Sequence, residues 1–129
     1  IRTLRESVGV NGVKDATFDI QTMAKYMRLL KSDTFDVALG TEAMWLSACV
    51  LGCKSFIPGI ANAFPEICQT LFQQGISGDI EACRKTQFEV NEMRDIRGIL
   101  KCYPRSPFIP ATDEEKQHIR ERLENLKLI

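Results

Sequence analysis

The chain has 129 residues, 44% of them hydrophobic and 26% charged, a balance that fits one small globular domain. Its 17 basic residues against 17 acidic ones leave no net field to draw in nucleic acid or an anionic membrane, so neither is expected as a partner. No apolar run approaches the ~20 residues of a membrane helix, and "IRTLRES" lacks a signal-peptide core, so the expected location is the cytoplasm.

In chain order, "IRTLRESV" reads as the end of a helix and "VGVNGVKDAT" as a strand running into a polar turn. Asp19 is placed to cap a helix over "IQTMAKYMRLL", where Ile20, Met23, Ala24, Met27 and Leu30 recur at helical spacing until "KSDT" ends the pattern. "FDVALG" follows as a second short strand, "TEAMWLSACVLGC" as a helix closed near Gly52, and "SFIPGIA" as a third strand. "FPEICQTLFQQGI" is a further helix, with Pro65 in its first turn. Three strand–helix units with short connections imply parallel strands joined by right-handed crossovers, which is an α/β class. The strands run out into "KDAT", "GTE" and "PGIAN", at the carboxyl edge where α/β proteins build their sites.

The rest is helical. "SGDIEACRKTQFEVNEMRDIRGIL" opens on an Asp79 cap and keeps Ile80, Cys83, Gln87 and Val90 roughly on one stripe. "KCYPRSPFIPAT" is a proline-broken connector, and "DEEKQHIRERLENLKLI" is a terminal amphipathic helix with its acids first. The expected division is a strand-bearing portion over 1–78 and a helical portion over 79–129. Cys49, Cys53, Cys68, Cys83 and Cys102 are odd in number and lack CxxC spacing, so they read as free thiols, mostly buried. His118, the sole histidine, lies on a charged helix face and reads as a surface residue, so no metal site is expected.

The residue that stands out is Lys14. A lysine inside a sheet core costs several kcal/mol unless it is paired, neutralised or used. Either the strand ends there, or Lys14 has a chemical task.

"GVKDAT" at Gly12 to Thr17, "GTEAMWLSACVLGCKSFIPGIAN" at Gly40 to Asn62 and "FPEICQTLFQQGISGDIEACRKTQ" at Phe64 to Gln87 are followed by the tail "RSPFIPATDEEKQHIRERL". In that order and spacing they resemble the C-terminal half of the dihydrodipicolinate synthase and N-acetylneuraminate lyase family of class I, pyruvate-handling aldolases. The resemblance implies a (β/α)8 barrel with a C-terminal helical extension. This chain would supply strands six to eight over 1–78 and the extension over 79–129.

It also implies that Lys14 forms a Schiff base with a small-molecule 2-oxo acid, needing neither cofactor nor metal. Burial among barrel walls would favour the neutral amine that attacks a carbonyl, and the iminium would then act as electron sink. By the same matching, Gly40, Thr41 and Glu42 stand at the mouth, where sugar-acid lyases of the family hold substrate hydroxyls. Glu42 has a second reading as a carboxylate favoured by a helix N-terminus. Ile57 falls where the family sets a backbone carbonyl near the substrate, and Gly59 lines the adjacent pocket beside Pro58, which replaces the glycine or serine often found there.

The nearest branch on these motifs is a 2-keto-3-deoxygluconate-type aldolase in a cytoplasmic homo-oligomer, by resemblance a tetramer. Dihydrodipicolinate synthase or N-acetylneuraminate lyase proper is the alternative, and a half-barrel interaction module is the non-enzymatic one. The family's carboxylate-binding loop and catalytic tyrosine belong to the first five strands, outside this sequence, and neither Tyr26 nor Tyr103 is placed to replace that tyrosine. Catalysis is therefore expected only when an N-terminal half completes the barrel. The join "NEMRDIRGILKCYP" is short for the extension, which implies an omitted segment near Arg94 to Arg97.

Overall fold

A computed structural model describes residues 2–96 and 112–126. In chain order these form α1 (Arg2–Val8), β1 (Gly12–Asp15), α2 (Ile20–Leu29), β2 (Asp36–Leu39), α3 (Trp45–Val50), β3 (Ser55–Phe56), α4 (Pro65–Ser77), α5 (Ile80–Ile96) and α6 (Asp113–Asn125). Two 3-10 turns, Glu42–Met44 and Gly59–Asn62, stand ahead of α3 and α4. The connector over 101–111, with Cys102 and Tyr103, and the stretch 97–100 lie outside the described residues. The chain forms two compact units, Ile1–Asn91 and Glu92–Ile129, with the break inside α5.

In the first unit the strands are parallel in the order β1-β2-β3, as three successive strand–helix units require. Val13 pairs with Val37, Lys14 with Ala38 and Asp15 with Leu39, while Ala38 and Leu39 pair with Ser55 and Phe56. Side chains alternate along a strand and paired neighbours share a face. Val37 and Leu39 are buried on the face that the helices cover, and Asp15 is buried beside them. Lys14 and Gly12 are on the other face, and both are exposed. Lys14 lies within β1, on the face opposite Val37 and Leu39, and is open to solvent in this chain; its burial is expected only among the walls of a completed barrel.

Two elements are shorter than their patterns suggest. β3 keeps only Ser55 and Phe56, because Pro58 has no N–H to give a ladder and Gly59 opens a 3-10 turn. The helix read over "TEAMWLSACVLGC" begins as a 3-10 turn capped by Thr41 and is α-helical only over Trp45–Val50. Gly52, at φ 90, closes it where expected. Asp19 caps α2 by accepting from Gln21 N at 2.9 Å, and Asp79 accepts from Ala82 N at 3.0 Å at the head of α5.

Trp45 is the pivot of the core. Fully buried, it stacks on Phe56 of β3 with ring centroids 4.7 Å apart, lies 5.2 Å from Phe72 of α4, and donates its indole N–H to Leu71 O at 3.0 Å. The close approach of α4 depends on Gly75, where a Cβ would sit 2.4 Å from Trp45 Nε1 and 3.1 Å from Cys49 Sγ. Cys53, Cys68 and Cys83 are buried, Cys49 is half-buried, and all four are free thiols, as the sequence implied. Burial pushes both Cys68 and Cys83 up to about 11, which keeps them protonated.

In the second unit α6 opens with a capping box: Thr112 Oγ1 accepts from Glu115 N at 3.2 Å while Thr112 N donates to Glu115 Oε2 at 2.7 Å. Arg122 donates to Glu92 Oε1 at 3.0 Å, and His118 is exposed as expected.

Gly75→Ala should destabilise the first unit by about 1–3 kcal/mol through overpacking against Trp45, despite the gain of up to about 1 kcal/mol in helix propensity. Chemical denaturation measures this, and an unchanged midpoint would show that the indole yields freely.

Asp36 provides a pH test. A hydrogen bond from Lys31 at 2.5 Å, then one from the Ser55 hydroxyl, hold its carboxyl below the ordinary carboxylate range. Such a group stabilises the fold above its unfolded-state value, and the contribution is lost as pH falls through the lower folded-state value. In acid titrations followed by thermal melting, Asp36→Asn should therefore lower the midpoint at neutral pH and flatten the loss of stability on the acid side. Parallel profiles for the two proteins would rule the linkage out.

Candidate functional site

The carboxyl ends of the strands are stepped together by hydrogen bonds that continue the ladders. Gly40 N donates to Asp15 O at 2.6 Å, and Ile57 N donates to Leu39 O at 2.8 Å. These bonds gather three of the expected site positions, Lys14, Gly40 and Ile57, along one edge. Lys14 lies opposite Ala38, yet its Cε reaches the space over Gly40, so its side chain runs forward along the sheet toward that edge. Ile57 is 52% exposed, and Gly59 is also exposed, its carbonyl accepting from Asn62 Nδ2 at 3.0 Å.

Thr41 and Glu42 go elsewhere. Each is only 2% exposed, so neither side chain is at an open mouth in this half-sheet. Thr41 Oγ1 accepts from Ala43 N at 3.3 Å and starts the 3-10 turn. Glu42 sits within electrostatic reach of Cys68, whose thiol it helps to raise after burial itself.

The turn they form is held from α5. Gln87, 4% exposed, donates through Nε2 to Glu42 O at 2.8 Å and accepts at Oε1 from Leu46 N at 3.0 Å. One side chain thus satisfies two backbone groups at the start of α3. Asp15 is a further buried polar group: Oδ1 accepts from Thr17 N at 3.0 Å, while Oδ2 has no hydrogen-bond partner among the described residues. The loop beyond it places Phe18 at φ 60, a conformation that costs a bulky residue about 1–3 kcal/mol. No group of three or more His, Cys, Asp and Glu able to hold a metal is present among the described residues.

A model of the dihydrodipicolinate synthetase family matches residues 1–99, more than half of the chain. The chain belongs to that family. It is 23% identical, over an alignment 145 positions long with its gaps, to the 4-hydroxy-tetrahydrodipicolinate synthase of Archaeoglobus fulgidus, a match covering 100% of this chain and 50% of the relative. Crystallised dihydrodipicolinate synthase from Aquifex aeolicus superposes with a TM-score of 0.81 at 18% identity, over 98% of this chain and 48% of that one. A 2-keto-3-deoxygluconate aldolase variant from Sulfolobus solfataricus superposes at 0.79 with 22% identity, again over 98% and 48%. The chain spans about half the length of the relatives it matches.

As a member of the dihydrodipicolinate synthetase family, the chain has the fold of the C-terminal half of a (β/α)8 barrel, with β1, β2 and β3 as strands six to eight. Lys14 and Ala38 lie on the sheet face opposite the buried Val37 and Leu39, the face that would line the interior of a completed barrel. A separate cavity of about 330 Å³ lies between β3 and α4, lined in part by Lys54, Phe56, Pro58, Cys68 and Phe72. It is on the helix side, and Lys14 does not line it.

Sequence reasoning missed Gln87 as a support of the site and Asp15 as a buried carboxylate. The signal for Asp15 was its place next to Lys14, since strand alternation sends the two to opposite faces. For Gln87 the signal was a polar side chain on the stripe of Cys83 and Val90, but nothing local named its partners, which lie 45 and 41 residues away. Gln87→Ala should cost about 1–3 kcal/mol, leaving Glu42 C=O and Leu46 N–H without that partner. Hydrogen exchange at the Leu46 amide should quicken in step, and unchanged protection there would show that Gln87 is not the clasp.

Proposed function

We propose that this chain carries the Schiff-base half of a class I, pyruvate-dependent aldolase or lyase, with Lys14 as the nucleophile. The observation that supports this reading is a lysine on the uncovered face of the sheet, running toward the carboxyl edge, in a chain of the dihydrodipicolinate synthetase family. Lys14 Nζ adds to the C2 carbonyl of the 2-oxo acid, and loss of water gives an iminium. Loss of a proton from C3 turns the iminium into an enamine, which attacks an aldehyde to form the C–C bond. Cleavage is the reverse.

The edge residues take two kinds of role. Gly40, Ile57 and Gly59 are accessible, and we assign them to substrate contact through backbone groups. Thr41 and Glu42 are buried, and we assign them to holding the loop that begins at Gly40, with Glu42 reading a substrate hydroxyl only in a form of the site that uncovers it. The substrate we favour is a 2-keto-3-deoxy sugar acid, on the pairing of "GVKDAT" with "GTE". Synthesis of 4-hydroxy-tetrahydrodipicolinate is the second reading, supported by the names of the curated relatives. In either case the first five strands would come from a longer polypeptide or a second chain, closing the barrel against the free edges of β1 and β3. The working assembly we propose is a cytoplasmic homo-oligomer.

The test is trapping. With the N-terminal half of the barrel supplied in cis or in trans, pyruvate and cyanoborohydride should add a stable mass to the peptide containing "GVKDAT". The label should vanish in Lys14→Ala, and the 129-residue chain alone should turn over no faster than a free amine. Labelling that persists without Lys14 would end the assignment. Cleavage of 2-keto-3-deoxygluconate, against condensation of pyruvate with aspartate semialdehyde, separates the two substrate readings.

A further inference from the structure

We propose that Gly40 is a positioning residue for Lys14: the absence of a side chain at the end of β2 is what lets the lysine lie across the sheet edge. The inference deepens the Schiff-base reading and rests on it for its catalytic meaning. Its geometry stands by itself.

A glycine at the end of a strand is unfavourable unless the backbone or a neighbour requires it. The backbone of Gly40 does not, since the glycines with positive φ among the described residues are Gly9, Gly52 and Gly78. The neighbour does. A Cβ on Gly40 would lie 2.6 Å from Lys14 Cε, 3.0 Å from Ala16 Cβ and 3.0 Å from Asp15 O. The Gly40 amide is held to Asp15 O at 2.6 Å, so the backbone cannot back away without breaking that bond. Of the groups in conflict, the lysine chain is the one free to move. A methyl at this position therefore displaces Lys14 and spares most of the sheet.

Lys14 also starts two residues short of Gly40 in register, level with Ala38, and must extend forward to reach the edge. The gap at Gly40 selects that forward path. An amine displaced by about 1 Å from a reacting carbonyl can lose on the order of 100-fold in rate. Gly40 thus acts through Lys14, a role distinct from the direct substrate contact assigned to its backbone.

Two measurements on Gly40→Ala test this. In the completed barrel, the rate of pyruvate trapping at Lys14 should fall by about 100-fold. In thermal unfolding of the 129-residue chain, Gly40→Ala should lower the midpoint less in a Lys14→Ala background than in the native one, because the group it collides with is gone. Equal midpoint losses in the two backgrounds, or trapping at the native rate in Gly40→Ala, would overturn the proposal. If the native protein traps no pyruvate, the Schiff-base reading fails by itself, and the two midpoint losses still decide whether Gly40 makes room for Lys14.

Discussion

The first unit hangs on the burial of Trp45. Its ring lies against Phe56 of β3 and Phe72 of α4, and its N–H reaches a carbonyl in the middle of α4. Truncating a fully buried Trp costs about 3–5 kcal/mol, a large share of the net stability of any small domain. Trp45 is also the first residue of α3, directly after the turn that carries Thr41 and Glu42. The packing that fastens α4 to the sheet therefore fixes where the loop after β2 begins and ends.

From that anchor the two faces of the sheet take different fates. Val37 and Leu39 face the covering helices and are fully buried, as parallel strands of an α/β fold require. Lys14 shares its face with Ala38, and that face is left open in a chain spanning about half of its structural relatives. A free sheet face and two free strand edges are unfavourable features in a lone domain. They are what a barrel segment must have, since a closed barrel fills its interior with side chains from every strand.

The site is organised by backbone more than by side chains. Ladder bonds from Gly40 and Ile57 align the strand ends, and Gln87 holds the following turn by its backbone groups. Charged groups at the edge are few. Glu42 is drawn inside near Cys68, while Asp15 lies under the sheet with one oxygen unmatched among the described residues. A site of this kind offers fixed backbone donors and acceptors.

Much of this was legible in the residues. Helical spacing from Ile20 to Leu30, the Asp19 and Asp79 caps, Pro65 at the head of α4 and the Gly52 stop are local signals, each satisfied within a few residues, and the structure honours them. The strand–helix alternation fixed the class, and "GVKDAT" with "GTE" pointed to the edge where Lys14 and Gly40 meet. Which way Lys14 and Glu42 face depended on contacts far along the chain. Lys14 is open because no helix among the described residues packs on its side of the sheet, and Glu42 is buried in a turn tied to α5, 45 residues later, through Gln87. The sequence by itself determined the order and type of the elements and the family, since those rest on near-neighbour spacing, but not the lengths of β3 and α3. The tertiary structure alone decided burial at the edge, because burial is a property of what folds back over a residue.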